Sequence, residues 1–340
     1  MPAGQLLIQS EVAVDQALAR AASLPEQVSS ERPVALYAAT LTGDALCLGR
    51  YQNERQVLGE HEASKPWLRR SSGGAAIRAG TGVAYVALAL HERSSLLQCP
   101  PGRLLNRNVR GVLTGLRGAG LSINYFGRDF LSLGAEPVSY VAWDLREHGQ
   151  ALLEFFIAHS SAWFVPEAEQ AYPARKEPAL RGRAPTTTTH NRPELDASAL
   201  LRAIADGHAR GFDVIWTEAD PAAPSADNSA AMHARVAANG LTWSSPYEEA
   251  IGFVSAGVAL DHAGNFASVR IAGDFFAHRA CATTLEKQLC GASPHAQRVG
   301  EAVDATFARS GYDVEGIRSL SVIRDAILEA AERCTRAELR

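Results

Sequence analysis

The sequence predicts an α+β fold in which helices cover a mostly antiparallel sheet. Three observations indicate it. Short apolar runs bounded by turn residues predict strands in the first half of the chain, and apolar residues at helical spacing predict helices between them. Alternating apolar residues on both sides of Asp261-His262-Ala263-Gly264-Asn265 predict a hairpin in the last third. With 46% hydrophobic residues over 340 positions, the chain can fill one large core and a smaller one.

The first half of the chain supplies the sheet. Val12, Leu18 and Leu24 share one helical face, and Gly118-Ala119-Gly120 follows a second helical pattern as a stop signal. Thr-Gly-Asp between two apolar runs predicts a strand, a turn and a strand. The expected elements are a helix over 11–24, strands over 34–37, 45–48 and 82–90, a helix over 104–121, and strands over 123–126, 138–143 and 152–157.

The second half changes in composition. Prolines and a threonine run predict a linker over 166–246 with a short helix over 197–209, between a larger domain over 1–165 and a small α/β domain over 247–340. After the hairpin, Thr283 or Thr284 is expected to cap a helix ending at Leu289. Two further helices are expected over 296–308 and 317–331.

Charge and cysteine content exclude several classes of function. A net charge of -4 with dispersed arginines gives no electrostatic footprint for nucleic acid. The five cysteines include no C-x-x-C pair, so neither a zinc site nor a disulfide framework is predicted, and no metal ligands are assigned. The first twenty residues lack a leader pattern, and the apolar run 84–90 is too short to span a bilayer. We expect a cytoplasmic protein without a membrane partner.

The segment Arg69-Arg70-Ser71-Ser72-Gly73-Gly74 carries the strongest functional signal. Guanidinium groups match carboxylate and phosphate oxygens, and glycines let backbone N–H groups approach a ligand. The alternative is a solvated charge pair before a glycine turn. For this segment alone the two interpretations are equally favoured.

With its surroundings, the segment resembles the RRx(S/T)GGGAV signature of the lipoate-protein ligase family. Leu48-Gly49-Arg50-Tyr51-Gln52-Asn53 is similar to the family's IGRYQN, and Gly127-Arg128-Asp129 to its GRND. His148-Gly149-Gln150-Ala151-Leu152-Leu153 resembles HGTLL, and Gly273-Asp274-Phe275-Phe276 resembles the GDFF turn of the accessory domain.

The resemblance implies a biotin/lipoate ligase-like sheet domain with a small accessory domain, and an ATP- and Mg²⁺-dependent ligase. Such an enzyme joins lipoate or octanoate, through an acyl-adenylate, to a lysine of a lipoyl carrier domain of the glycine cleavage H protein or dehydrogenase-complex acyltransferase type. The residues it assigns to substrate and adenylate are Arg50, Arg69, Arg70, Ser72, Gly73, Gly74, Ala75, Ala76, Ile77, Ser139, His148 and Gly149.

The chain departs from the family at chemically important positions. Ala75 replaces the third glycine, Arg78-Ala79-Gly80 replaces an aromatic-His-Asp triplet, and Val83 replaces an asparagine. The family's KxSGxA strand aligns with Pro137-Val138-Ser139-Tyr140-Val141-Ala142, so Pro137 stands where the catalytic lysine is expected. Proline carries no ammonium group. Lys65 and Lys176 are the candidate substitutes.

Three hypotheses therefore remain open. The first is an ATP-dependent ligase, the second a catalytically inactive acyl- or acyl-adenylate-binding protein, and the third an octanoyltransferase that uses the Cys99 thiol. For Cys99 an unreactive loop thiol is favoured. His148 fits an acid–base role and a backbone-bonded role equally, and Asp129 and Asp274 are interpreted as structural.

Overall fold

The computed structural model describes most of the chain, in ranges interrupted by short gaps and two longer ones. The described residues are 3–54, 56–57, 67–92, 94, 99, 103–125, 129–146, 148–163, 185–219, 240–249, 252–309, 311–312 and 314–338. Within them, no helix is long and apolar enough to cross a membrane.

A twisted eight-stranded sheet forms the centre of the larger unit, in the order β11-β1-β2-β6-β10-β9-β8-β7. The pairs that β1 makes with β11 and β2 are parallel, and the other pairs are antiparallel. The α+β fold with a mostly antiparallel sheet is thus confirmed. Its strands are β1 Ala3–Ala13, β2 Val34–Thr42, β6 Val83–Leu90, β7 Ile123–Tyr125, β8 Phe130–Leu133, β9 Glu136–Leu145, β10 Ala151–Ala158 and β11 Ile215–Glu218.

The first strand, β1, was not predicted. The helix expected from Glu11 begins at Val14, and the eleven residues before it pair with β2 and β11. The register shifts between Gln9 and Val12, and Glu11 adopts a φ of 56°. Leu6, Leu7 and Ile8 are consecutive apolar residues and the register shift follows them, so the segment lacks the apolar–polar alternation that indicates a strand.

Helices cover the sheet, and its central strands β6 and β10 are buried along their whole length. α2 and α4 pack closely through glycines: a Cβ on Gly115 would lie 2.3 Å from the Ala203 carbonyl oxygen, and one on Gly207 2.3 Å from that of Gly111. The helix predicted at 197–209 is confirmed as α4, which packs on the large sheet and is followed by the edge strand of that sheet, β11. The helices here are α1 Val14–Ser23, α2 Leu104–Gly118, α3 Thr188–Asn191 and α4 Ala197–Phe212.

The smaller unit is built on the predicted hairpin. β14 pairs antiparallel with β15 on both sides of the Asp261–Asn265 turn, which confirms that prediction. The predicted cap at Thr283 or Thr284 is wrong: α5 begins four residues earlier, where the His278 imidazole accepts the Ala280 N–H. The elements are β12 Thr242–Trp243, β13 Tyr247–Glu248, β14 Phe253–Leu260, β15 Phe266–Gly273, β16 Phe276–Ala277, β17 Val314–Glu315, α5 Arg279–Leu289, α6 Ala296–Phe307 and α7 Ser321–Glu338.

A three-stranded sheet carries the Arg-Gly segment. β3 Asp44–Leu48 pairs in parallel with β4 Trp67–Arg69 and antiparallel with β5 Ile77–Gly80. The chain between β4 and β5, residues 70–76, forms the Arg-Gly loop. It lies between the large sheet and the smaller unit, because Gly73 N–H donates to the Trp143 carbonyl and Gly74 N–H donates to the Phe275 carbonyl.

Candidate functional site

Arg70 is the centre of the Arg-Gly loop and is buried, with 1% of its surface exposed. Its Nη2 donates to the carbonyls of Gly73 at 2.8 Å and Ala75 at 2.6 Å, and its Nη1 to the Cys47 carbonyl at 3.1 Å. Its Nε donates to the Ser72 hydroxyl at 3.1 Å. Each nitrogen of this guanidinium group therefore contacts an oxygen of the protein itself, and Arg70 holds the loop in shape.

Arg69 fixes the neighbouring turn after β3. Its Nη1 donates to the carbonyls of Gly49 at 3.0 Å and Gln52 at 2.7 Å, and its Nη2 lies 3.3 Å from a Glu54 carboxylate oxygen. Only 3% of Arg69 is exposed. The two arginines therefore join the 49–52 turn to the Arg-Gly loop.

The glycines of the loop are required by close packing. Gly74 has a φ of +84°, and a Cβ there would lie 2.1 Å from the Tyr140 hydroxyl oxygen. A Cβ on Gly73 would lie 2.3 Å from the Phe275 carbonyl oxygen. Both amide N–H groups donate to carbonyls of neighbouring strands, as described above. The small residues thus allow the Tyr140 hydroxyl and the Phe275 carbonyl to approach the loop backbone closely.

Glu154, in the middle of β10, anchors the loop from the sheet. It accepts the Ser72 N–H at 3.2 Å and the Tyr85 hydroxyl. Burial, and then the nearby Glu154 carboxylate, raise the pKa of Tyr85 well above its usual value. Glu154 was not among the predicted site residues, although a single carboxylate in the apolar run 151–158 indicates a buried charge with a specific partner.

Cys47 lies within electrostatic reach of Arg70 and Glu154. Burial, only partly opposed by Arg70, raises its pKa to about 12. The thiol is protonated at neutral pH and belongs to the core.

Tyr140 fills the space between β9 and the Arg-Gly loop. The Arg70 Cζ lies 5.1 Å from the centre of its ring, and Arg70 Nη2 lies 3.2 Å from its hydroxyl oxygen. Tyr140 is wholly buried and packs against Phe130 and Trp163. In the aligned KxSGxA motif, glycine stands at this position. A buried aromatic ring therefore stands in this chain where the aligned motif has no side chain.

The smaller unit seals the other side of the loop. The Phe275 ring stacks on Tyr51 at 4.7 Å, and Phe276 stacks on Trp143 at 5.8 Å. Gln52 accepts the Gly49 N–H and donates to the buried Asp274 carboxylate. Asp274 thus joins the two units, in agreement with its structural interpretation.

The predicted site residues are only partly brought together. Arg69, Arg70, Ser72, Gly73, Gly74, Ala75, Ala76 and Ile77 are buried in or beside the loop, and Arg50 adjoins it because its N–H donates to the Ser72 carbonyl. Ser139 is buried on β9, with its hydroxyl 3.3 Å from the Tyr140 carbonyl. His148 is exposed in the β9–β10 turn, where Gly149 has a φ of +82°. Their roles toward a ligand stay predictions.

Cys99, Lys65 and Lys176 are the remaining candidates for a nucleophile or a cation at the site. Burial raises the pKa of the Cys99 thiol, with Arg107 and Arg103 opposing the shift. This reduces its thiolate population at neutral pH. Lys65, Lys176, Gly127 and Arg128 lie outside the described residues. Within the described residues, the lysine of the chain is Lys287, which is exposed near the end of α5.

Among the described residues of the loop, Arg70, Gly73 and Gly74 do not form a cradle for an adenylate phosphate. Such a group requires N–H donors directed at it, and the donors of Arg70, Gly73 and Gly74 are directed at protein oxygens. Nor do the described residues contain a group of three or more His, Cys, Asp or Glu side chains that could hold a metal ion.

Comparison with known proteins places the fold among lipoate-protein ligases. LipL1 of P. falciparum, solved in complex with lipoate, superimposes with a TM-score of 0.63 at 11% identity, over 96% of this chain and 99% of that one. The bipartite lipoate protein ligase of Thermoplasma acidophilum gives a TM-score of 0.51 at 15% identity, over 68% and 91%. No protein-family model and no curated protein sequence matches. The chain therefore has a lipoate-protein ligase-like fold.

Proposed function

We propose that this protein is a non-catalytic binding protein with a lipoate-protein ligase-like fold, and that it binds a lipoyl- or octanoyl-bearing carrier domain without forming an acyl-adenylate. One observation carries the proposal: the donors of the Arg-Gly loop are bound to the protein's own oxygens, under the ring of Tyr140. A site without directed donors cannot stabilise the charge that develops during adenylation.

The sequence at the start of β9 supports the same conclusion. Adenylation and acyl transfer in the resembled family require a lysine where this chain has Pro137, which is buried and accepts the Thr186 N–H through its carbonyl. Losing one preorganised electrostatic contact typically costs about 10²–10³ in rate. This chain lacks both the lysine, which Pro137 replaces, and Arg-Gly loop donors that are directed at a ligand.

Retention of both units supports a binding role. LipL1, which was solved with lipoate, matches over nearly the full length of both chains, and the Thermoplasma ligase was studied with its E2 lipoyl domain. A chain with this architecture keeps an outer surface on which a carrier domain can bind, even though protein atoms fill the space beside Arg70. The partner we propose is therefore a lipoyl carrier domain of the H-protein or dehydrogenase-complex type.

A pair of assays tests the proposal. Pyrophosphate exchange into ATP, measured with lipoate and with octanoate, is expected to stay at the level without enzyme. Titration calorimetry with apo, octanoyl and lipoyl carrier domains is expected to show binding that is unaffected by ATP. Binding to none of the three carrier domains would refute the binding role.

The ligase hypothesis keeps one supporting observation, that Lys65 precedes Arg69 by only four residues. If Lys65 supplies the ammonium group, the exchange assay gives a lipoate-dependent signal that Lys65→Ala abolishes. That result would refute the non-catalytic role.

A further inference from the structure

A cluster of arginines lies at the junction of the two units, outside the Arg-Gly loop. The end of β9 runs beside the residue before α5, since Leu145 and His278 form a parallel bridge. This contact brings together Arg146, which follows β9, and Arg279, which begins α5.

Both guanidinium groups share a single oxygen of Asp144. Arg146 Nε lies 3.1 Å from Asp144 Oδ2, and Arg279 Nη2 donates to the same atom. The Asp144 side chain is completely buried, while the side chains of Arg146 and Arg279 are 13% and 18% exposed. Solvent therefore reaches the arginines but not the carboxylate between them.

Among the described residues, three arginines and two carboxylates interact electrostatically at this junction. Arg50 and Arg279 both act electrostatically on Arg146, and the opposing carboxylates are Asp144 and Glu26. Burial, together with the two arginines, lowers the pKa of Arg146 to about 10. The N-terminus of α5 adds partial positive charge beside Arg279.

Three buried atoms of the cluster have no hydrogen-bond partner among the described residues. They are the donors Arg146 Nε, which is only in ion-pair contact with Asp144, and Arg279 Nε, and the acceptor Asp144 Oδ1. Buried polar atoms of this kind are usually satisfied by water or a ligand. Because Arg279 Nη2 already donates to Asp144, its Nε is the further donor, and a phosphate oxygen can accept a charge-assisted hydrogen bond from it.

We propose that Arg146 and Arg279 form a binding site for a phosphate group at the junction of the two units, with Arg50 contributing charge. The site is separate from the Arg-Gly loop, and it does not depend on whether the protein is a ligase. Arg146 Nη2 donates to the Ala22 carbonyl at 2.6 Å and Arg279 Nη2 donates to Asp144, so the Nε groups of the two arginines are the donors proposed for the ligand. The bound phosphate would hold β9 and α5 together.

Calorimetric titration of the full chain with inorganic phosphate tests the site, with AMP in a parallel titration. We expect binding that weakens as sodium chloride is raised, and a loss of about tenfold or more in affinity for Arg279→Gln, because a charge-assisted hydrogen bond is removed. The matched control is Arg336→Gln, whose arginine is 75% exposed in an i,i+4 pair. It should leave the affinity unchanged.

Asp144→Asn distinguishes a ligand site from a purely structural ion pair. Without the competing carboxylate, the arginines should bind phosphate more tightly, so phosphate should raise the melting temperature of Asp144→Asn more than that of the unchanged protein. If phosphate binds neither protein, or if Arg279→Gln and Arg336→Gln behave alike, the proposal is wrong. Tighter binding of AMP than of phosphate assigns the site to a nucleotide, and equal binding assigns it to a free phosphate or another phosphoester.

Discussion

At the residue scale, Arg69 and Arg70 stabilise the conformation of the Arg-Gly loop and the turn before it, although arginine is also a residue type that binds anionic ligands. The Arg70 guanidinium donates to the carbonyls of Cys47, Gly73 and Ala75. It therefore fixes the conformation of the loop, and these donors are not directed at a ligand. Residue type and the glycine spacing predicted a loop with donors. They could not predict where the donors point, because that depends on Tyr140 and Phe275, which are distant in sequence.

Glu154 provides a direct test of the buried network. Glu154→Gln places an amide NH₂ opposite either the Tyr85 hydroxyl or the Ser72 N–H, both of which are donors. We expect a loss of about 1–3 kcal/mol in the free energy of unfolding, measured in urea. The control is Glu332→Gln, at a carboxylate that is 68% exposed in a helical pair. Equal stabilities of the two variants would show that the network contributes nothing.

At the element scale, the side chains of β9 determine whether there is space for a ligand beside the Arg-Gly loop. Its strand pattern was predicted correctly, yet Tyr140 projects against the Arg-Gly loop, which the pattern does not reveal. Alternation identifies a buried face but not the volume that the face must leave for a ligand.

Tyr140→Ala should open that volume. Removing a buried aromatic ring costs about 3–5 kcal/mol of stability and leaves a cavity beside Arg70. We expect this variant to gain affinity for octanoate in a calorimetric titration, whereas Tyr140→Phe, which keeps the ring, should not. No gain in the folded Tyr140→Ala variant would mean that the ring does not block an acyl site.

The contact between α2 and α4 predicts a pH dependence. Burial lowers the pKa of His208 to about 4, although its Nδ1 bonds to the Ile204 carbonyl at 3.0 Å. The unfolded chain, with an ordinary histidine pKa of about 6.5, binds more protons between these two values. Stability should therefore fall as the pH drops from about 6.5 to 4, by on the order of 3 kcal/mol from this group.

The measurement is urea unfolding across this range for the unchanged protein and for His208→Gln. The difference in stability between the two should shrink as the pH falls. A constant difference would show that His208 titrates normally in the folded protein.

At the scale of the whole molecule, the smaller unit is part of the site. Phe275 and Asp274 contact the turn before the Arg-Gly loop, and Phe276 stacks on Trp143 of β9. The sequence predicted the hairpin and the GDFF turn, since both are local patterns. It did not predict their docking on Trp143, since that contact joins residues more than a hundred positions apart.

This docking predicts cooperative unfolding. Far-ultraviolet circular dichroism and tryptophan fluorescence should report a single coincident transition, since Phe276 is buried against Trp143 of the larger unit. Phe276→Ala should separate the two curves. Separate transitions in the unchanged protein would show that the units are energetically independent.

The central claim is that the filled Arg-Gly loop and Pro137 remove the adenylation chemistry. The most direct test is the intact mass of a lipoyl carrier domain after incubation with this protein, Mg-ATP and lipoate, with octanoyl-acyl carrier protein offered in a parallel tube. We predict an unchanged mass in both tubes. An ATP-dependent lipoyl adduct would contradict the claim and establish a ligase, and an octanoyl adduct from the acyl carrier protein would contradict it in favour of thiol transfer through Cys99.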